Sequence, residues 1–452
     1  MERDRLTALL EAERATHLER NPGSRAQFGE ATHLFTGVPM TWMANWAGSF
    51  PLALAGARSA RVTDVDGHTY VDFALGDTGA MAGHSPAPVV EAIRRRVETL
   101  GGITAMLPSE DAEWVAAELA RRFGLGQWSF ALSATDANRW ALRLARLVTG
   151  RPKILVFSYC YHGSVDETFV VAGPDGTTRS RPGNVAPAVD PSETTVAVEF
   201  NDLDAVGRAL RTGDIAAVLT EPALTNIGIV APDDGFHAGL RSLCDETGTL
   251  LMIDETHTLS AGPGGATAAW GLQPDIVTMG KAIAGGIPIG AFGLRDELAA
   301  RILTLVDDEY ADIEDVGGIG GTLAGNALSM AAARACLGEV LTEEAFTRME
   351  ALAVRLVEQA EATIVRHRMP WTITRLGARA EYRFCSPAPR NGTASDAADD
   401  PELDEYLHLY LSNRGVLITP FHNMVLMCPE TTADDVDLHA RLFEAAVAAL
   451  AG

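Results

Sequence analysis

Leu250-Leu251-Met252-Ile253-Asp254-Glu255 is an apolar run that closes on two carboxylic acids. Ile276-Val277-Thr278-Met279-Gly280-Lys281 follows the same plan and closes on a lysine, 27 residues beyond Asp254. Each charged group stands just past a short β-rich run. In an open parallel sheet, ligands bind outside the carboxyl ends of the strands. An acid and a lysine delivered there from two strands form a candidate site. Neither is telling alone: an aspartate at a strand end commonly caps a turn or helix, and Gly-Lys after a strand is equally ordinary. The combination carries the reading.

Working outward, residues 85–295 alternate between helical and strand patterns. The expected helices are 88–100, 110–123, 138–148, 203–211 and 235–247. The expected strands are 153–157, 195–200, 216–220, 250–253, 276–279 and 291–294. Short apolar strands between helices predict an α/β fold whose mainly parallel sheet is covered on both faces. Residues 60–73 read as a hairpin turning at Asp66-Gly67. Residues 327–366 read as long helix, and a mixed tail follows with strands near 372–376, 380–384 and 415–419 and a last helix at 434–450. The expected organisation is an N-terminal arm with part of a small domain (1–74), a large domain (75–325) and a C-terminal small domain (326–452). Two stretches rich in Gly, Pro, Ser and Thr, 172–194 and 386–401, read as surface loops.

Composition narrows the function. The 452 residues carry 36 Lys+Arg against 60 Asp+Glu, a net charge of −24, which argues against nucleic acid or an anionic membrane as partner. No apolar run is long enough to span a bilayer, and the N-terminus shows no secretory h-region. The five cysteines have neither zinc-site nor redox spacing, so no metal is expected and a reducing cytoplasm fits best. G-x-S-x-G, H-E-x-x-H and Walker A motifs are absent, and Gly318-Ile319-Gly320-Gly321 lacks the third glycine of a dinucleotide loop.

Further motifs cluster with the Asp and the Lys. They are Ser133-Ala134-Thr135-Asp136-Ala137-Asn138, Tyr161-His162-Gly163, Glu221-Pro222, Gly321-Thr322 and Gly325-Asn326. Together with Ile253-Asp254-Glu255 and Met279-Gly280-Lys281, this set resembles the fold type I, class III pyridoxal-phosphate aminotransferases over most of the chain. Asp254–Gly265 and Thr419-Pro420-Phe421-His422-Asn423-Met424 look most like the aromatic β-amino-acid aminotransferase branch, with the glutamate-1-semialdehyde aminomutases as a sister branch.

The resemblance implies pyridoxal 5′-phosphate as cofactor. Lys281 would hold it covalently and then serve as the proton-shuttling amine. Asp254 would keep the pyridine nitrogen protonated. Ser133, Ala134 and Thr135 would take the phosphate at a helix start. Tyr161 and Thr256 would lie on the two ring faces, Glu221 would support the pocket, and Thr322 would reach the phosphate of a neighbouring subunit, making a homodimer with shared sites. His162 and His257 read as packing or supporting residues rather than as bases.

Two departures matter. Ala134 and Asp136 stand where the family has glycine and glutamate. More important, related branches place a carboxylate-binding arginine shortly after a Gly-Gly turn near the N-terminus, and here residues 36–46 contain none. Met40, Trp42, Met43 and Trp46 would line an apolar substrate pocket, or else serve as core or interface residues. Arg414 is the other candidate carboxylate clamp. The expected activity is ping-pong transfer of an amino group from a hydrophobic or aromatic amine, or a β-amino acid, to pyruvate or 2-oxoglutarate. An aminomutase or racemase on the same scaffold is the alternative. A decarboxylase, which carbon dioxide release would reveal, is a further alternative, and a non-enzymatic regulator on this fold would need an appended DNA-binding domain that the short N-terminal arm does not supply.

Overall fold

The structure, a computed structural model, describes all residues except 1, 308–311, 315 and 421. Phe421, part of one motif above, therefore lies outside the described residues. Two compact units are present. The larger comprises residues 87–343 and 389–397, and the smaller comprises 1–86, 344–388 and 398–452.

The larger unit is built on a seven-stranded sheet. In chain order its strands are β1 (Gln127–Ala131), β2 (Lys153–Phe157), β3 (Thr195–Val198), β4 (Ile215–Thr220), β5 (Leu250–Asp254), β6 (Ile276–Gly280) and β7 (Gly290–Leu294). The spatial order is β1-β7-β6-β5-β4-β2-β3. All neighbours are parallel except β7, which runs antiparallel to both β6 and β1. This is the mainly parallel α/β sheet expected, with β4 buried along its whole length. Central strands buried on both faces read as continuous apolar runs, which is why the sequence exposed them. The helix Ala134–Thr149 lays Ala137, Ala141, Leu142, Ala145 and Val148 against this core and stops at Gly150 in the left-handed conformation.

In the smaller unit, strands Leu54–Arg58, Arg61–Asp64 and Thr69–Asp72 are joined by Val416–Leu417 in one sheet. The expected hairpin is there, with Gly67 at φ +86° in its turn. Thr372–Leu376, Arg379–Arg383 and Met424–Leu426 form a second sheet. The last helix, Ala433–Ala451, begins with a reciprocal capping box between Thr432 and Asp435.

Several elements differ from expectation. Residues 172–194 are not wholly loop, because Val170–Ala172 pairs antiparallel with Thr178–Ser180. Within 386–401 a short helix, Gly392–Asp396, starts on the Asn391 side chain. The helix expected at 88–100 is α-helical only over Ala87–Arg94 and ends in a π turn, Arg95–Leu100, closed by Gly101. Strand β1 was not anticipated: its five residues mix polar and apolar types, and only Ala131 is buried.

Candidate active site

Asp254 and Lys281 meet through sheet register. Asp254, the last residue of β5, pairs with Thr278 of the neighbouring parallel strand β6. Lys281 lies three residues on, where β6 gives way to a 3-10 turn, Lys281–Ala284. Its backbone is left-handed, at φ +51°. A non-glycine residue adopts that conformation at a cost of order 1–3 kcal/mol, and such strain concentrates at functional turns. The Lys281 Nζ lies 2.8 Å from the Nε2 of His257.

Asp254 is 2% exposed and holds four hydrogen bonds. Its Oδ1 accepts from the Thr256 amide at 3.0 Å and from the Thr256 hydroxyl at 2.6 Å. Its Oδ2 accepts from Asn138 Nδ2 at 2.8 Å and pairs with His162 Nδ1 at 3.0 Å. The Thr278 hydroxyl in turn holds Asn138 Oδ1 at 2.6 Å. Burial alone would raise the carboxyl pKa, but His162, Thr256 and Asn138 outweigh it and hold the group below the usual carboxylate range. For His162, burial opposes the charge, while Cys160 and Asp254 raise its pKa well above that of an ordinary histidine. Glu255, next in sequence, differs. Its carboxylate accepts from the Thr258 hydroxyl and the amides of Ala266 and Thr267, and burial lifts its pKa.

His162 and Asn138 are thus the partners of Asp254. Sequence reading had assigned His162 to packing and had given Asn138 no role. Both are buried, so a periodicity argument files them with the core. The one available signal was a polar amide on the apolar face of a helix.

The phosphate-type turn is at the N-terminus of Ala134–Thr149. The Ser133 hydroxyl accepts from the Asp136 amide at 3.3 Å as N-cap. Ala134 is the first helical residue and needs no left-handed backbone, so replacing glycine there is harmless. The Thr135 hydroxyl accepts from the Ser164 amide at 3.1 Å. Glycines let these segments close up. A Cβ on Gly163, whose φ is +76°, would lie 2.1 Å from Thr135 Oγ1, and one on Gly290 would lie 2.1 Å from the Ser133 carbonyl oxygen.

Tyr161 is half-buried, with its ring edge-on to Phe169 at 6.2 Å. Glu221 is buried and accepts from the Thr225 hydroxyl. Thr256 is buried on Asp254, as described. Thr322 is exposed, in the turn that leads to the Asn326 cap of Ala327–Ala335.

The remaining predicted residues belong to the smaller unit. Met40, Trp42 and Met43 are 45%, 37% and 44% exposed, in and beside the turn Thr41–Asn45. Trp46 lines a small internal space with His17, Leu52, His408 and Ile418. Arg414 corrects an expectation. Its guanidinium binds both carboxylate oxygens of Glu13 at 2.9 Å, donates to the Tyr410 carbonyl and stacks 3.6 Å over the Tyr410 ring. A fork already matched to a carboxylate of its own chain is not an open clamp.

The donor set suits pyridoxal phosphate. The cofactor presents an aldehyde, a pyridine nitrogen and a phosphate. The larger unit presents an amine at a strand end, a buried carboxylate fixed in its charged form, and a hydroxyl-bearing helix start whose first amides have no partner within the helix.

Comparison with known proteins agrees. Residues 42–449 match the family described as Aminotransferase class-III. A crystal structure of a glutamate-1-semialdehyde aminomutase from Pseudomonas aeruginosa PAO1 superposes with a TM-score of 0.96 at 49% identity, covering 100% of this chain and 99% of that one. A second structure of such an enzyme from that strain, 48% identical, is in complex with PMP. The glutamate-1-semialdehyde 2,1-aminomutase of Anaeromyxobacter dehalogenans (strain 2CP-C) is 31% identical over 86% of this chain and 89% of its own. An omega-transaminase from Sphaerobacter thermophilus superposes with a TM-score of 0.85 at 27% identity, over 96% of this chain and 100% of that one.

Proposed function

The chain belongs to the class III aminotransferase family of pyridoxal-phosphate enzymes, with the fold type I architecture, and from that premise we propose that it is an aminotransferase. Its amino donor is a hydrophobic or aromatic amine or β-amino acid, and its acceptor is a small 2-oxo acid, pyruvate or 2-oxoglutarate. The observation that carries this reading is the convergence of Lys281 and Asp254 at the ends of neighbouring strands.

Pyridoxal phosphate, when bound, supplies an electron sink that makes the hydrogen on the amine-bearing carbon acidic. Lys281 would hold it and, once released, accept that proton and hand it on. Asp254, kept charged by its four donors, would face the pyridine nitrogen. Ser133, Ala134 and Thr135 would take the phosphate, Tyr161 and Thr256 the ring faces, and Glu221 would brace the pocket. Thr322 would act across a homodimer.

The donor class follows from an absence in the sequence. Residues 36–46 carry no arginine, and Arg414 is matched to Glu13. Neither position gives a guanidinium to a substrate carboxylate, which supports a donor whose carboxylate is dispensable and whose body is apolar.

A second reading is an aminomutase, favoured by the names of the Pseudomonas and Anaeromyxobacter relatives. The two separate cleanly, because an isomerase returns the amine to the same carbon skeleton and needs no external acceptor. The test is an absorbance spectrum before and after a racemic aromatic β-amino acid and, separately, 1-phenylethylamine. Loss of the cofactor's long-wavelength band, with recovery on pyruvate or 2-oxoglutarate, is the result expected of transfer. A band that shifts without bleaching means isomerisation. A protein that never takes up the cofactor overturns both.

A further inference from the structure

A short segment from the C-terminal third, residues 389–397, belongs to the larger unit, and the reaction as proposed gives it no task. We infer that this segment is a strap that positions the turn carrying Tyr161, with Thr393 and Asp396 as positioning residues. What the strap means for the cofactor rests on the placement of Tyr161 proposed above. The strap itself is tested without cofactor.

The strap lies across the carboxyl ends of three adjacent strands, the edge where an open α/β sheet binds ligands. Just beyond β3, the carboxylate of Glu199 accepts from the Thr393 hydroxyl and amide. In the connection after β4, Asp233 pairs with the Arg390 guanidinium. Just beyond β2, the Tyr159 hydroxyl donates to Asp396 Oδ2 at 3.0 Å. Gly392 comes so close that a Cβ there would lie 2.1 Å from the Ser158 carbonyl oxygen and 3.2 Å from Tyr159 Cβ. Asp254 and Lys281 stand at the same edge of the same sheet, at the ends of β5 and β6.

The turn under the strap needs holding. Tyr159 has a left-handed backbone, at φ +63°, which a residue with a side chain keeps only where its surroundings over-determine it. The Arg181 guanidinium lies 5.3 Å from the Tyr159 ring centre and donates to the Cys160 carbonyl at 3.2 Å. At the far end of the turn, Asn138 Nδ2 donates to the His162 carbonyl at 3.1 Å, and the same amide nitrogen donates to Asp254. Tyr161 therefore stands between anchors, with the strap and Arg181 before it and Asn138 after it. A side chain between two fixed points samples a narrow range of positions, and releasing one point widens that range.

Thr393 and Asp396 are exposed, so truncating them opens no cavity in the core. The full chain is compared with Thr393→Val/Asp396→Ala, with Tyr161→Ala, and with all three changes together. Amide hydrogen exchange is followed by mass spectrometry on the cofactor-free proteins. Pyridoxal phosphate affinity is measured by absorbance titration.

Loss of the strap's hydrogen bonds should speed exchange of the amides at 158–163 by about tenfold, while those of β5 and β6 keep the parental rate. Cofactor affinity should fall by about three- to tenfold, and by no more than about twofold further when Tyr161 is already alanine. A segment that only closes the surface would leave exchange at 158–163 at the parental rate, or would weaken cofactor binding equally with and without Tyr161. Either result overturns the inference. If the double variant fails to fold, Tyr159→Phe, which removes one hydroxyl, takes its place with the same two outcomes. Failure of the functional reading looks different: the parent takes up no pyridoxal phosphate, and the exchange rates alone decide whether the strap holds the turn.

Discussion

His162 and Asp254 form a buried pair, Nδ1 to Oδ2 at 3.0 Å, with the two side chains 0% and 3% exposed. The carboxylate on which the site depends thus has a cation of the chain's own beside it. Both ends of the pair shift toward the charged forms. The Asp254 pKa is lowered and the His162 pKa raised, against a burial that opposes each.

That pair predicts an asymmetric mutational response. His162→Leu leaves a buried carboxylate short of its cation, and such a loss costs about 3–5 kcal/mol. Asp254→Asn in the same background should restore part of it, because no bare charge then remains. Denaturation midpoints of the two single variants and the double variant measure this. Additive losses would mean that the two groups do not act as a pair.

The pair also fixes a direction in pH. Asp254, with its folded pKa depressed, contributes stability that is present above the unfolded carboxyl value and is lost as pH falls through the folded one. His162, with its pKa raised, contributes below the unfolded histidine value and loses that contribution as pH rises through the folded one. Between those limits the pair contributes fully. Acid and strong base should therefore each release bound cofactor from the wild type, and a dialysis-and-absorbance series across pH reads this directly.

His439 gives a prediction away from the site. It is 1% exposed, has no hydrogen-bond partner on either ring nitrogen among the described residues and stacks on Phe443 at 6.0 Å. Burial pushes its pKa down to about 4, and His408, likewise buried, is also held at about 4. A histidine depressed when folded stabilises fully above its unfolded value near 6.5 and loses that contribution as pH falls toward 4. Each such group costs about 2 kcal/mol at pH 5 relative to neutral pH. His439→Phe should thus gain more at pH 5 than at pH 7.5. An equal effect at both pH values would show that His439 does not resist protonation.

How far the sequence anticipated this depends on the kind of information involved. Strands β2 and β4–β7 were legible within one residue at either end, because strands buried on both faces, whether parallel or, like β7, antiparallel, are unbroken apolar runs. Strand β1 was not, since it is only partly buried. The placement of Asp254 and Lys281 at the ends of neighbouring strands was legible, because each directly follows an apolar β-rich run. Asn138 and His162 were missed as partners of Asp254 because those contacts have long sequence separation, 116 residues for Asn138 and 92 for His162. Arg414 failed differently. Its partner, Glu13, sits 401 residues away in the N-terminal helix, and nothing local shows that the guanidinium is engaged.

Gly290 tests whether the phosphate-type turn depends on its backing. Its Cβ position is occupied by the Ser133 carbonyl at 2.1 Å, and a backbone atom cannot step aside as a flexible side chain can. Gly290→Ala should push the Ser133–Thr135 turn off its place at the helix start. Overpacking of this kind costs about 1–3 kcal/mol. Cofactor affinity should fall tenfold or more, read by titrating the absorbance of the cofactor-free protein, while circular dichroism keeps its shape. Unchanged affinity would remove the Ser133–Thr135 turn from the cofactor site.

The covalent role of Lys281 can be read without any substrate. Borohydride fixes a lysine-bound aldehyde cofactor irreversibly, and two lysines compete for it, Lys153 and Lys281. Lys153, at the start of β2, is 29% exposed in its side chain and ion-paired, whereas Lys281 directly follows β6, whose Thr278 pairs with Asp254. Mass spectrometry of the reduced, digested protein should find the adduct on Lys281 in near-stoichiometric amount and only background on Lys153. Lys281→Met should abolish it while leaving weak, reversible cofactor binding, since Asp254 and the helix start persist. Asp254→Asn should retain the adduct at Lys281 and yet slow donor turnover by a factor of about 100 or more, because an electron sink with an unprotonated ring nitrogen is weaker. Adduct on Lys153 at comparable yield would refute the assignment of Lys281, and full turnover in Asp254→Asn would refute that of Asp254.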